Sequence, residues 1–130
     1  MTNEEIRIKI AETLGWTDIH KFEGYLLGWP PNYKLPKDIN RRHPLVIPNW
    51  PDSLDTCYPL MAEITPTEQV NFLEMYRRKD KYSSEIMKRC VIATYWEPYR
   101  SHVYGEDKSS YATAFCLAYL RWKGVKICKA

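Results

Sequence analysis

Leu45–Ile64 reads LVIPNWPDSLDTCYPLMAEI. The extended apolar run Leu45-Val46-Ile47 stops at Pro48, which cannot donate a ladder hydrogen bond, and the chain resumes at helical spacing. Asn49 suits an N-cap, with Pro51 tolerated inside the first turn. Leu54, Tyr58 and Met61, joined by Cys57 and Ile64, make an apolar stripe. Pro59 forfeits the bond to the Asp55 carbonyl inside that helix and predicts a bend. The stretch is therefore a strand-to-helix corner, and Trp50 is expected to cover the core beside it, as large aromatics mostly do.

Upstream of the corner, Thr2 and Glu5 form a capping box. Ile6, Ile10 and Leu14 recur on one helix face, and Gly15 stands where a helix ends in the left-handed region. Residues 15–50 hold Pro30, Pro31, Pro36, Pro44 and Pro48 with Gly24 and Gly28. That density forbids a long helix. The aromatics Trp16, Phe22, Tyr25, Trp29, Tyr33 and Trp50 make the segment too apolar for a disordered linker. It reads as an ordered wrap over the core, with short extended pieces at Tyr25-Leu27 and Leu45-Ile47.

Downstream, Thr65-Pro66-Thr67-Glu68 offers an N-cap, a proline at the first helical position and a closing glutamate. It predicts a third helix through Val70, Leu73 and Tyr76 or Arg77, ending near Arg78-Lys79. Arg89–Trp96, RCVIATYW, is rich in β-branched and aromatic residues and reads as a strand; a helix opening at Ser83 or Ser84 is the rival. His102-Val103-Tyr104 suits a returning strand and Gly105-Glu106-Asp107 a turn. Ser109 or Ser110 then caps a last helix carrying Ala112, Phe115, Cys116, Tyr119 and Trp122, which Gly124 ends. The sum is an α+β chain: one domain over residues 1–130, with about four helices and a small sheet.

The 130 residues are 45% hydrophobic and 27% charged, the proportions of an ordinary globular domain. Apolar runs are too short to span a membrane. The acidic N-terminus has no secretory h-region, so a cytoplasmic protein is expected. A net charge of +3 is too weak to imply nucleic-acid binding without clustering. Basic residues gather at Arg41-Arg42-His43, at Arg77-Arg78-Lys79 with Lys81, and at Arg121, Lys123, Lys126 and Lys129; charge runs of this kind usually face water. Cys57, Cys90, Cys116 and Cys128 lack CxxC spacing and have no histidine at zinc-ligand spacing, so they read as reduced, mostly buried thiols.

The order of these signals is familiar. Gly15-Trp16-Thr17-Asp18-Ile19-His20 follows the first helix. Then come Pro30-Pro31-Asn32, Ile47-Pro48-Asn49-Trp50 with Asp52 and Leu54, Thr65-Pro66-Thr67-Glu68-Gln69, and finally Ala118-Tyr119-Leu120-Arg121 with Gly124. This order resembles the phage ABA sandwich domain family, small phage and prophage proteins generally without assigned function. The resemblance implies an α-β-α sandwich and supplies no catalytic residues. Two departures stand out. Ala114 and Phe115 occupy places where that family often carries a Gln-Arg pair, and Pro59 interrupts the second helix.

No GxSxG, HExxH, Walker loop or GxGxxG is present. Asp52 and Asp55 suit a helix start better than acid/base work. The chain is therefore expected to be a binder and not an enzyme, with no cofactor and no metal site. The most suggestive cluster is Tyr95–Tyr104, YWEPYRSHVY, where Trp96, Tyr99 and Tyr104 alternate with Arg100 and His102. Aromatics can stack on a base while the cations neutralise phosphate; the competing reading is a half-covered strand packing under the last helix. Tyr33 with Arg41, Arg42 and His43 repeats the mixture. Three classes of partner follow: a host or phage protein, a nucleotide-like signal of host immunity held by a sponge at an oligomer interface, and nucleic acid. A homo-oligomer fits the second.

Overall fold

The computed structural model describes residues 1–31, 44–95 and 102–127. Within them the chain runs α1 (Asn3–Leu14), β1 (Thr17–Phe22), β2 (Tyr25–Trp29), β3 (Leu45–Val46), a 3-10 turn (Trp50–Asp52), α2 (Leu54–Ile64), β4 (Glu68–Arg78), β5 (Ser84–Thr94), β6 (His102–Asp107) and α3 (Tyr111–Trp122). The fold is α+β. It carries two three-stranded antiparallel sheets, ordered β1-β2-β3 and β4-β5-β6, where one small sheet was expected. Three α-helices and the 3-10 turn stand among the described residues in place of about four helices.

The first helix forms as its caps dictate. The Thr2 hydroxyl accepts from the Glu5 amide at 3.2 Å, and Gly15 ends the helix at φ 96°. Of the wrap expected over residues 15–50, residues 32–43 lie outside the described residues; the described parts are more regular than their prolines suggest. Glu23 and Gly24, at φ 49° and 83°, make the two-residue turn of a hairpin that pairs Phe22 with Tyr25. Leu26 and Ile47 are buried there.

At the corner the strand-to-helix transition holds, with its start displaced. Trp50-Pro51-Asp52 winds as a 3-10 turn, and Ser53, not Asn49, caps α2 by accepting from the Asp55 amide at 3.2 Å. Trp50 is buried, as expected. The inward stripe of α2 is Cys57, Leu60 and Ile64, with Leu54 and Met61 packed at its margin; of the expected stripe only Tyr58 points to solvent, and Leu60 takes the inward place. Helix α2 continues through Pro59, whose ring lies on the exposed side. Arg7 of α1 pins the corner, donating to the Ile47 carbonyl and to that of Pro48 at 3.3 Å. Partial burial lowers the Arg7 pKa from its ordinary value, against the opposing pull of Glu4.

The third expected helix is absent. Thr65-Pro66-Thr67 closes α2, with the Thr67 amide bonded to the Ile64 carbonyl at 3.1 Å, and Glu68 opens strand β4. Val70, Phe72 and Tyr76 share one strand face at period two. That pattern won over the period-three reading of Val70, Leu73 and Tyr76 because β5 offers eleven residues in unbroken register, from Glu68 opposite Thr94 to Arg78 opposite Ser84. Propensity and capping signals are weaker than such a ladder. Of the strand expected over Arg89–Trp96, Arg89–Thr94 belong to β5, Tyr95 lies past its end and Trp96 falls outside the described residues.

The expected turn at Gly105-Glu106-Asp107 is also corrected: β6 continues to Asp107, and the chain reverses one step later. There the Asp107 carboxylate accepts from the Ser109 and Ser110 amides at 3.0 and 2.8 Å. Gly105 serves packing instead. A Cβ on it would meet the Ala118 amide nitrogen at 2.6 Å and collide with the Ala114 carbonyl, so its hydrogen lets α3 press onto β6.

Helix α3 is the centre of the molecule. Ser110 caps it, accepting from the Thr113 amide at 3.1 Å. It packs on β5 and β6 on one side and meets α1, α2 and the 3-10 turn on the other. Ala112, Ala114, Phe115, Cys116, Ala118, Tyr119 and Leu120 are all buried, a helix apolar almost all round. Among the described residues no helix packs against the opposite face of the larger sheet, so the layers run sheet, α3, then α1 and α2.

Candidate functional site

Hairpin β4–β5 carries the most conspicuous surface. Strand β6 pairs only with Lys88–Ala93, so Ser84–Met87 and their partners Met75–Arg78 project past the third strand. The tip is tightly built. Asp80 Oδ1 accepts from the Tyr82 and Ser83 amides at 2.7 and 2.9 Å, and the Ser83 carbonyl accepts from the Lys79 amide at 3.0 Å. Those amide bonds hold the Asp80 carboxyl below its ordinary value.

On this arm Phe72, Leu73, Tyr76, Tyr82 and Ile86 are exposed, with Tyr76 at 75% and Tyr82 at 90%. Tyr76 and Ile86 lie opposite one another and share a face. Arg77, Arg78, Lys79 and Lys81 supply cations around them, and Lys81 Nζ stands 5.9 Å from the Tyr82 ring. The arm is thus apolar, aromatic and basic at once, and rigid at its end. As a helix, residues 65–79 would scatter Phe72, Leu73 and Tyr76 around a cylinder; the alternation of Val70, Phe72 and Tyr76 is the signal that puts Phe72 and Tyr76 on one face, with Leu73 on the other.

Of the residues singled out in the sequence, Trp96, Tyr99, Arg100, Arg41 and Arg42 lie outside the described residues. His102 and Tyr104 are both on β6, two apart and so on one face. They line different hollows. His102 is exposed beside a hollow of about 230 Å³ with Glu68, Thr94 and Trp122. Tyr104 is half-buried in a cleft of about 370 Å³ whose walls include Arg77, Met87, Glu106, Leu117 and Arg121. The Arg89 guanidinium lies 4.4 Å from the Tyr104 ring centre, and that of Arg121, at 5.3 Å, donates to the Tyr104 backbone carbonyl. Glu106 accepts from Arg77 at 2.7 Å and from Arg89 Nε at 2.8 Å. One carboxylate thus faces two guanidiniums, and Arg121 stands outside that pairing. Sequence reading missed Arg89 and Glu106 because the sixteen residues between them hid that their strands are neighbours.

The thiols of Cys57, Cys90 and Cys116 are free and buried; Cys128 lies outside the described residues. Cys57 donates to the Trp50 carbonyl at 3.2 Å and sits 4.0 Å from the Cys116 sulfur. Burial pushes Cys90 up to about 12, and raises Cys116 by the same cause with help from Cys57. Cys90 and Cys116 are protonated packing groups at neutral pH. Among the described residues no cluster of three or more His, Cys, Asp or Glu could hold a metal ion, and no helix is long and apolar enough to cross a membrane.

Compared with protein-family models, curated proteins and solved structures, the chain matches none.

Proposed function

We propose that this protein works by binding a protein partner, without bond-breaking chemistry of its own, and that hairpin β4–β5 is its docking arm. One observation carries the reading: Tyr76 and Ile86, opposite one another on one face, and Tyr82 at the tip are exposed on the part of the hairpin that projects past β6. Contiguous apolar surface of this kind marks interaction sites, and tyrosines are favoured binding anchors. The surrounding arginines and lysines select a partner face that is apolar with an acidic rim. The resemblance to the phage ABA sandwich domain family supplies the proposed setting, a phage or prophage product acting on a host or phage protein in the cytoplasm.

The test compares the wild type with Tyr82→Ala/Ile86→Ala as bait, with Tyr58→Ala on α2 as the control. A partner kept by the wild type and the control and lost by the double variant supports the reading; identical retention by all three overturns it. A retained species that is nucleic acid, released steeply by salt, assigns the arm to phosphate instead.

A second reading, a sponge for an anionic nucleotide, draws on the cleft around Tyr104, where Glu106 pairs with the guanidiniums of Arg77 and Arg89 and Arg121 stands outside that pairing. It requires a saturable rise in melting temperature with a cyclic or linear nucleotide that Arg121→Ala abolishes. A flat screen removes it.

A further inference from the structure

Strand β4 is an edge strand of eleven residues. Among the described residues, no hydrogen bond other than its ladder to β5 reaches the backbone of Gln69–Arg78. Long, open, apolar edges are templates for a further strand, and proteins that do not use them blunt them with proline, bulges or short length. Neither a proline nor a bulge interrupts Glu68–Arg78, whose register to β5 is continuous; its charges, Glu68, Glu74, Arg77 and Arg78, are the one protective device present.

We infer that β4 pairs antiparallel with β4 of a second copy, joining two three-stranded sheets into one of six. The pairing uses the backbone edge of β4 together with Leu73 and Tyr76, which also stand on the docking arm, whereas Tyr82 and Ile86 belong to the docking reading alone; Leu73→Lys and Tyr82→Ala/Ile86→Ala therefore separate the two.

Symmetry narrows the register. A two-fold axis normal to the sheet keeps each face with its like, so residues opposite one another share a face and the axis passes through a residue. An axis at Glu74 sets two like charges against each other, at a cost. An axis at Phe72 leaves the strand ends without charge partners. An axis at Leu73 engages all eleven residues. It sets Leu73 against Leu73, Val70 against Tyr76, and Glu68 against Arg78 at both ends. The strand is acidic where it begins and basic where it ends, which is the pattern that complements its own reverse. About ten new backbone hydrogen bonds would form along it.

The other edge of the sheet is furnished differently. Strand β6 is six residues long, and Arg121 already occupies its Tyr104 carbonyl.

Sedimentation of the full chain tests the pairing. The wild type is expected at twice the chain mass of 15.5 kDa. Leu73→Lys, at a solvent-facing position, puts two ammonium groups across the axis and is expected to sediment as a monomer with its circular dichroism unchanged. Glu68→Arg weakens the dimer about tenfold by placing arginine opposite arginine twice. Adding Arg78→Glu to it restores the wild-type affinity, an outcome that mere damage to the fold does not produce. A wild type that stays monomeric at its highest soluble concentration overturns the inference. So does a dimer that both Leu73→Lys and Glu68→Arg leave intact.

Discussion

Gly105 carries a large share of the fold on one hydrogen atom. The backbone of α3 approaches β6 so closely there that a methyl group has nowhere to go, since its neighbours are a carbonyl oxygen and an amide nitrogen held in a helix. Gly105→Ala is expected to destabilise the protein by about 3 kcal/mol, the upper end for overpacking, because backbone cannot rotate aside as a side chain can. A shift of the urea midpoint without a change in slope checks it. The residue was read as part of a turn, since glycine signals a reversal and a close approach alike. What distinguishes the two is what lies across from it, and that is non-local. Capping residues were legible because their partners are three or four positions away: Thr2, Gly15, Ser110 and Gly124 all act as their local patterns indicate. The buried thiols of Cys90 and Cys116 make a second prediction at this scale. Burial favours their neutral form, and raises Cys90 from 9.0 to about 12. Their contribution is fully present below the unfolded value and is lost as pH rises through the folded one. Stability should therefore fall between about pH 9 and 12, and Cys90→Ala should flatten part of that fall in urea titrations at successive pH values.

Among the elements, the three helices were legible and the sheets only partly so. Helix α1 and α3 announce themselves by caps and by i+4 spacing. Strand β4 was taken for a helix because Thr65-Pro66-Thr67-Glu68 is a good helix start read alone, whereas its pairing with β5 depends on a strand sixteen residues onward from its first residue. The basic-aromatic cluster suffered similarly. Tyr104 is where the sequence placed it, but its cationic neighbours, Arg89 and Arg121, come from β5 and α3. Helix α2 offers the test at this scale. Pro59 sits in its interior on the solvent side, where it supplies no buried contact and denies one hydrogen bond to the Asp55 carbonyl. Pro59→Ala should stabilise the protein by about 2 kcal/mol, the helix gain less the entropy returned to the unfolded chain, read as a raised melting temperature.

At the scale of the whole molecule, α3 is enclosed by the sheet and the other helices, while the sheet's far face and its projecting hairpin remain open among the described residues. That asymmetry was not legible from composition, since the chain has the apolar fraction of any globular domain. The two edges of the larger sheet differ in the same way: β4 is bare along its length, and Arg121 is seated on β6. A strand ladder that can be extended at both margins propagates without limit and ends as a fibre. One that is stoppered at one margin is satisfied by a single mirrored addition and then has nothing left to offer. In the proposed pairing the Arg121 guanidinium on the Tyr104 carbonyl and the short length of β6 together close that margin, and removing Arg121 should show first as a loss of solubility.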